Sequence, residues 1–287
     1  MAFWLSLEQA TAALRHGTGQ GVKIAVIDSG VEVSHPDLQA PLKKTGKKGA
    51  GGAGSAAGKR RSGRFQLCDD LAVVEHEMSL KVVKGGGVDL FGHGTAIASI
   101  IQSVAPEARI GSFRVLGDRL QARTAIIREG VRQALDRGYH ILNCSFGCRG
   151  EAQFVMKYKD WVDEAYLKGV HVVSACNNCD FTVPEWPGFF TSAITVNMAA
   201  TPEQESFYYR PGSMVEFAAV GVNVNVAWKG GGRRTVCGSS YAAPRVAALL
   251  ARLLSVYPEL PPAQAKALLH QIATPWTRQV AAENTPD

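Results

Sequence analysis

The sequence predicts an α/β fold, a three-layer sandwich in which helices cover both faces of a mostly parallel central sheet. Short apolar runs typical of buried strands alternate along the chain with longer segments of helical periodicity. This alternation indicates a parallel sheet, because each crossover between parallel strands usually needs a helix. The chain has 287 residues, 46% of them hydrophobic and 20% charged, enough for one sizeable buried core.

The predicted elements follow one another without an obvious linker or internal repeat. The first strand is the apolar run at 22–27, which ends at Asp28. Later strands are predicted at 110–116, 141–145, 170–175, 193–198 and 215–218. Helices are predicted at 7–14, 96–104, 124–138, 245–254 and 260–272, and a further helix is predicted to end over 161–169. We therefore expect a single domain at 1–275, followed by a C-terminal tail at 276–287.

One segment departs from this pattern. Residues 41–64 are rich in Gly, Ala, Ser, Lys and Arg, and they contain no large apolar residue after Leu42. Such a composition cannot bury enough surface to offset its ordering entropy, so we expect a mobile surface loop. The loop holds eight of the 31 basic residues and no acid, which leaves 23 basic against 25 acidic residues elsewhere. The net charge of +6 is therefore local, and we expect no nucleic-acid partner.

The N-terminal segment shows no targeting signal. Residues 1–21 contain no basic stretch followed by a long apolar core, and no apolar run is long enough to cross a membrane. We therefore expect no membrane partner and a cytoplasmic location, or secretion if the chain is a trimmed mature form.

The segment at 237–244 places Ser240 near the mouth of an apolar helix. Such a serine is most often an ordinary helix cap, but a helix N-terminus also offers N–H groups to a developing oxyanion. A serine nucleophile needs an imidazole to take its proton and a carboxylate to orient that imidazole. His93, between two glycines at a helix start, and Asp28, at a strand end, can share one sheet edge with it. Alone, each has an ordinary interpretation as a structural histidine or a turn-forming aspartate.

Three segments together resemble the signature segments of the subtilisin-like serine proteases. They are Ile-Asp-Ser-Gly at 27–30, Gly-His-Gly-Thr at 92–95 and Gly-Ser-Ser-Tyr-Ala-Ala-Pro at 238–244. The resemblance implies a serine endopeptidase that hydrolyses protein or peptide substrates through an acyl-enzyme. In that scheme Ser240 is the nucleophile, His93 the general base and acid, and Asp28 the orienting partner of His93.

Two further segments resemble the family's substrate-binding parts. The segment at 142–147 resembles the edge strand that binds substrate, which implies substrate contacts at Ser145, Phe146 and Gly147. The segment at 175–177 resembles Ala-Gly-Asn, which implies that the side-chain amide of Asn177 stabilises the oxyanion. A turn role for Asn177 is the alternative, because another asparagine follows it.

Several features depart from the family's pattern. Ser239 replaces the usual Thr before the nucleophile but keeps a hydroxyl, so we expect activity to survive. The helix after His93 runs directly into 104–106 and lacks the loop that binds a tight calcium in many members. We therefore expect no tight calcium site, no other metal and no cofactor for the chemistry, while a weaker calcium site stays open.

The segment at 185–188, Glu-Trp-Pro-Gly, resembles the family's Gly-Tyr-Pro-Gly, in which the aromatic–Pro bond is often cis. This alignment places Glu185 at the floor of the primary specificity pocket. A carboxylate there favours Lys or Arg just before the scissile bond, since a buried charge needs a partner. The alternative is a surface glutamate on a loop. With this preference, the enzyme could cut its own Lys-Arg-Arg at 59–61.

Four cysteines fall on the segments that the resemblance assigns to this pocket, at positions 144, 148, 176 and 179. A disulfide or a zinc site between them is geometrically possible. Because no histidines stand at the usual ligand spacing, we expect free or partly buried thiols. Cys237, three residues before Ser240, is expected to serve packing.

Two other functions remain open at this stage. One is a specialised maturation protease or transpeptidase that processes a precursor peptide, which would transfer the acyl group to an amine instead of water. The other is a non-catalytic binding scaffold, against which the presence of Asp28, His93 and Ser240 argues.

Overall fold

The computed structural model describes residues 5–40, 65–201 and 203–277. The predicted basic loop at 41–64 and the predicted tail from 278 onward lie outside these residues. The helices are α1 (Leu7–His16), α2 (Pro36–Gln39), α3 (His93–Val104), α4 (Thr124–Asp136), α5 (Ala152–Leu167), α6 (Ser239–Val256) and α7 (Pro262–Ile272). The strands are β1 (Lys23–Asp28), β2 (Asp70–His76), β3 (Ser79–Lys84), β4 (Arg109–Arg114), β5 (Ile141–Cys144), β6 (Cys148–Arg149), β7 (His171–Ala175), β8 (Glu185–Trp186), β9 (Ile194–Ala199), β10 (Phe207–Tyr209), β11 (Phe217–Val220), β12 (Val224–Trp228), β13 (Gly232–Val236) and β14 (Thr274–Pro275).

Ten of the described strands form one sheet in the order β14-β10-β11-β9-β7-β5-β1-β4-β2-β3. The pairs from β11 through β9, β7, β5, β1 and β4 to β2 are parallel. Antiparallel pairs occur near the two edges, between β10 and β11 and between β2 and β3. The predicted mostly parallel α/β fold is confirmed. Because parallel strands end at the same edge of a sheet, the residues that follow β1, β5 and β7 come together there.

Helices cover both faces of this sheet. One apolar cluster joins α1, α3 and α6 to one face, and a second joins α4 and α5 to the other. α6 is buried along most of its length, including the charged side chain of Arg252. That guanidinium donates to the carbonyls of Val104 and Leu14 and pairs with Glu205 at 2.8 Å, so the buried charge is satisfied. None of the described helices is both long and apolar enough to cross a membrane.

Two hairpins were not predicted. The β2–β3 hairpin extends the sheet at one edge, and nearly every residue of β3 is exposed or partly exposed, so no buried apolar run marks it. The β12–β13 hairpin lies outside the main sheet, and β13 is also exposed. Gly230 and Gly231 adopt positive φ angles of 84° and 75° in its turn. A glycine run between two short strands is the local signal that could have revealed this hairpin.

Candidate active site

β1 and α3 bring a carboxylate and an imidazole into contact. Asp28 is the last residue of β1, and His93 is the first residue of α3. Nδ1 of His93 lies 2.9 Å from both carboxylate oxygens of Asp28, and both side chains are buried. The backbone N–H of Ser29 donates to Oδ1 of Asp28 at 2.7 Å, which fixes the carboxylate. A proton held on Nδ1 leaves Nε2 as the nitrogen that can accept a proton from a nucleophile.

The pKa of His93 lies above its ordinary value of 6.5. Burial lowers this pKa. The charge and the hydrogen bond of Asp28 raise it, with a smaller contribution from the charge of Asp89, and together they outweigh the effect of burial. The ion pair therefore stabilises the folded state below pH 6.5, and this stabilisation is lost as the pH rises through the raised pKa. Only above that pKa is His93 the neutral imidazole that a general base requires.

Asp89 caps the N-terminus of α3, a role that was not predicted from the sequence. Its Oδ1 accepts hydrogen bonds from the N–H groups of Phe91 and Gly92 at 3.0 and 2.7 Å. Its Oδ2 accepts from the N–H and the hydroxyl of Thr95 at 2.8 and 2.6 Å. The hydroxyl of Ser29, just after β1, donates to the same carboxylate at 2.7 Å. An acidic residue shortly before an apolar helix is an N-capping signal, so the sequence did carry a trace of this role.

Backbone conformation and close packing require glycine on both sides of His93. Gly92 has a φ of 115°, in the left-handed region that favours glycine. A Cβ atom on Gly94 would lie 2.0 Å from the carbonyl oxygen of Gly30. The Gly-His-Gly pattern therefore lets the start of α3 approach the segment after β1 closely enough for the Asp28–His93 contact.

Ser240 lies in the first turn of α6 and lines the same cleft as His93, Tyr241 and Asn178. The Tyr241 ring meets the His93 ring edge to face at a centroid distance of 5.4 Å. Oγ of Ser240 donates to the carbonyl of Ser145 at 3.1 Å, and the Ser145 hydroxyl donates to the Ser240 carbonyl at 3.0 Å. These two bonds join the end of β5 to the start of α6. The structure thus places Ser240 in the same cleft as His93.

The structure differs from the sequence-based assignment of Asn177. Asn177 is not among the residues that line the cleft of Ser240. Its Nδ2 donates to Glu185 at 2.9 Å, and its Oδ1 accepts from the N–H groups of Cys179 and Asp180 at 2.8 and 2.9 Å. Asn177 therefore closes the turn after β7, which is the alternative role considered from the sequence.

Asn178 lines the cleft instead. Its Oδ1 accepts hydrogen bonds from the N–H and the hydroxyl of Ser239 at 2.7 and 2.9 Å. Because Oδ1 is engaged with the start of α6, Nδ2 is the atom of this amide that remains for a ligand in the cleft. The two adjacent asparagines have the same side chain, and only the path of the turn after β7 decides which one reaches the cleft.

The three residues predicted to bind substrate follow β5 and have different surroundings. Ser145 bonds to Ser240, as described above. Gly147 lies against Glu185, since a Cβ atom on Gly147 would be 2.6 Å from Oε2 of that carboxylate. Phe146 is half-buried and packs against the core cluster on the α4–α5 face.

Glu185 is half-buried in β8, which pairs with β6. Burial raises the pKa of Glu185, and the hydrogen bond from Asn177 partly opposes this shift. The following Trp186–Pro187 peptide bond is cis, as the resemblance implies. Among the described residues the side-chain partner of Glu185 is the neutral amide of Asn177, and a half-buried carboxylate in such surroundings gains from a cation placed next to it.

All six cysteines are free thiols in the structure, including the four for which free or partly buried thiols were expected, and Cys237 is exposed. Cys144 and Cys176 are buried, and burial raises the pKa of Cys176 to about 12. This thiol is therefore protonated and unreactive at neutral pH. In the ranges that the structure describes, no group of three or more His, Cys, Asp or Glu residues is arranged to hold a metal ion.

Comparison with known proteins gives a consistent result. The family model described as the subtilase family matches residues 19–285. Thermitase of Thermoactinomyces vulgaris is 27% identical over 250 residues, which cover 86% of this chain and 80% of that protein. Subtilisin BL of Lederbergia lenta is 28% identical over 280 residues, which cover 94% of this chain and 90% of that protein.

Two solved structures share the fold. A cold adapted subtilisin-like serine proteinase superposes with a TM-score of 0.65 at 22% identity, covering 89% of this chain and 83% of that one. Sphericase superposes with a TM-score of 0.66 at 23% identity, covering 91% of this chain and 88% of that one. At this level of identity the likeness concerns the fold alone.

Proposed function

The chain belongs to the subtilase family and is a subtilisin-like serine peptidase, and from this premise we propose that it is an endopeptidase that cleaves after Lys or Arg through an acyl-enzyme on Ser240. The observation that carries the proposal is the buried contact of 2.9 Å between Asp28 and His93 beside the cleft that His93 shares with Ser240. A carboxylate, an imidazole and a hydroxyl in this order form the proton-transfer chain that serine nucleophiles need.

In the proposed reaction, Oγ of Ser240 turns from the Ser145 carbonyl towards Nε2 of His93 and gives it the proton. Oγ then bonds to the substrate carbonyl carbon, and Asp28 stabilises the imidazolium that forms. His93 returns the proton to the leaving amine as the peptide C–N bond breaks, which leaves the acyl group on Ser240. Water repeats the sequence in the second half-reaction, which releases the carboxylic acid and restores Ser240.

We assign the stabilisation of the oxyanion to Asn178 in place of Asn177. Nδ2 of Asn178 is the amide group that remains for the cleft, because Oδ1 is bonded to Ser239. The backbone N–H of Ser240 is the second donor, since N–H groups in the first turn of a helix have no intrahelical acceptor. The dipole of α6 favours negative charge at the same point.

The proposed preference for Lys or Arg rests on Glu185. Its carboxylate lies beside Gly147, two residues after the Ser145 carbonyl that accepts the hydrogen bond of Ser240. A substrate ammonium or guanidinium placed there donates a charge-assisted hydrogen bond to the Glu185 carboxylate. This bond compensates both charged groups for the water that they lose on binding. The preference should weaken when the pH falls through the raised pKa of Glu185, because the neutral acid does not attract a cation.

Cleavage-site profiling on a peptide library tests this function, with Ser240→Ala as the inactive control. We expect Lys or Arg before most scissile bonds, and Glu185→Gln should reduce that preference by about 10- to 100-fold while leaving turnover after Leu or Phe. Equal cleavage after basic and apolar residues by the wild type would contradict the role of Glu185. Failure of a fluorophosphonate to label Ser240 in the folded protein would contradict the nucleophile itself.

A further inference from the structure

A hairpin next to His93 forms an aromatic wall that the proposed mechanism does not use. Trp228, the last residue of β12, packs against the backbone of Gly92, where a Cβ atom would lie 2.8 Å from ring atoms. Phe91 meets Trp228 edge to face, with ring centroids 5.6 Å apart. Both aromatic side chains line the cleft that also holds His93 and Ser240.

Arg234 of β13 lies on this wall. Its guanidinium carbon is 4.9 Å from the centroid of the Trp228 ring, and the side chain lines the same cleft. In the described part of the chain, Arg234 forms no ion pair with a carboxylate, and no acidic residue lines the cleft. A guanidinium stacked on an aromatic ring is preorganised while its N–H groups stay free to bind an anion.

The neighbouring Arg233 has a different environment on the same strand. It forms an ion pair with Asp37 and donates hydrogen bonds to Asn225. Successive side chains of a strand point to opposite faces, so Arg233 faces away from the wall that carries Arg234. Of the two arginines, only Arg234 presents its charge to the cleft.

The position of the wall indicates which part of a substrate meets Arg234. In the proposed mechanism His93 protonates the leaving amine, so the substrate residues after the scissile bond pass beside His93. Trp228 packs against Gly92, the residue before His93, and Arg234 is stacked on Trp228. Glu185 lies beside Gly147 and is not among the residues that line this cleft.

We propose that Arg234, held on Trp228, is a specificity-determining residue that selects Asp or Glu at one of the first two positions after the scissile bond. This inference rests on the proposed function and deepens it, because the enzyme then recognises a basic residue before the bond and an acidic residue after it. A guanidinium and a carboxylate form paired N–H···O bonds. Since Arg234 is exposed, we expect a preference of about fivefold, as for other exposed ion pairs.

The test compares quenched fluorescent peptides that are identical up to a scissile Lys and carry Asp, Asn or Lys at the next two positions. The kcat/KM is measured for the wild type, Arg234→Gln, Arg234→Glu and the matched control Arg233→Gln. We expect the wild type and Arg233→Gln to prefer Asp over Asn by about fivefold, Arg234→Gln to lose the preference, and Arg234→Glu to prefer Lys.

A p-nitrophenyl ester with the same acyl part separates this inference from the proposed function, since its leaving group carries no amino acid. We expect all four proteins to hydrolyse the ester at similar rates, which also shows that the variants fold. Ester turnover without an Asp-over-Asn preference in the wild type overturns the role of Arg234. Loss of the preference in Arg233→Gln as well as in Arg234→Gln also overturns it. Absence of ester turnover by the wild type overturns the proposed function, and the inference falls with it.

Discussion

The base and the nucleophile candidate both lie at helix N-termini, but the two termini are held in different ways. α3 begins at His93, and its first turn is capped by Asp89, whose partners Gly92 and Thr95 are three and six residues away. α6 begins at Ser239, and its first turn is held by Asn178, which is 61 residues away. The cap of α3 is thus encoded largely within one short segment, whereas the cap of α6 depends on a contact between distant segments.

The two caps also differ in charge. The carboxylate of Asp89 raises the pKa of His93 in addition to binding the start of α3. The neutral amide of Asn178 binds the start of α6 and adds no charge to the cleft. Substitutions that remove the negative charge of Asp89 should therefore change both rate and pH dependence, and uncharged substitutions at the α6 terminus should change the rate alone.

Asp28→Asn is expected to cause the largest loss of activity among the substitutions around the start of α3. An amide at this position no longer holds the proton on Nδ1 of His93, so kcat should fall by about 10⁴-fold. Loss of the negative charge also lowers the pKa of His93, so the acidic limb of kcat/KM should move to lower pH. Steady-state kinetics across pH measure both effects, and a fall in kcat below about tenfold contradicts the proposed proton path.

Asp89→Asn should have the next largest effect on the α3 side. The amide cannot accept all the hydrogen bonds of the carboxylate, so the free energy of unfolding should drop by about 1–3 kcal/mol. A less rigid base should lower kcat/KM by about 10- to 100-fold. The acidic limb of the pH profile should again move to lower pH, because one negative charge near His93 is gone.

Thr95→Val is the matched control for this prediction. It removes a hydroxyl that donates to Asp89 at 2.6 Å but keeps the charge of the carboxylate. We expect this variant to lose stability without any shift of the pH profile. An equal shift in both variants would indicate that Asp89 acts on His93 through structure alone.

Ser239→Ala should produce the smallest change, on the α6 side. The Ser239 hydroxyl lies 2.9 Å from Oδ1 of Asn178 and 2.7 Å from the carbonyl of Cys176. Its loss leaves the backbone N–H of Ser239 to hold Asn178, so kcat/KM should fall by about fivefold, the usual value of one hydrogen bond. The pH profile should stay in place, and Ser239→Thr should retain most of the rate. A shifted profile in Ser239→Ala would remove the distinction between the two termini.

The sequence was most informative where structure depends on local pattern. The strands β1, β5 and β7 were predicted because they are continuous apolar runs buried on both faces. Only the end of α5 was predicted, because the first half of this helix is mostly exposed or half-buried, with Tyr158 as its one buried residue. The β2–β3 and β12–β13 hairpins were missed because one strand of each, β3 or β13, is exposed or half-buried along its whole length and shows no buried apolar run.

In the candidate active site, too, residues in local motifs were predicted and features that depend on distant contacts were not. Asp28 and His93 stand in short motifs whose glycines permit the close approach of two backbones, Ser240 stands in a third short motif, and a sequence displays such motifs directly. The local resemblance at 175–177 favoured Asn177 over Asn178, whereas the turn that bonds Asn177 to Glu185 is visible only in the structure. The stacking of Arg234 on the aromatic wall at Trp228 could not be predicted, because it depends on the unpredicted β12–β13 hairpin.

The most direct test of this account compares Asn178→Ala, Asn178→Asp and Asn177→Ala on one Lys-containing peptide, with each enzyme titrated by a fluorophosphonate. If Asn178 donates to the oxyanion, Asn178→Ala should lose about 10²- to 10³-fold in kcat with little change in KM. Asn178→Asp keeps an acceptor for Ser239 but has no amide donor, so it should lose at least as much. Asn177→Ala should lose less than about tenfold, since it removes a turn contact and the hydrogen bond to Glu185. A larger loss in Asn177→Ala than in Asn178→Ala would contradict the account and return the oxyanion role to Asn177.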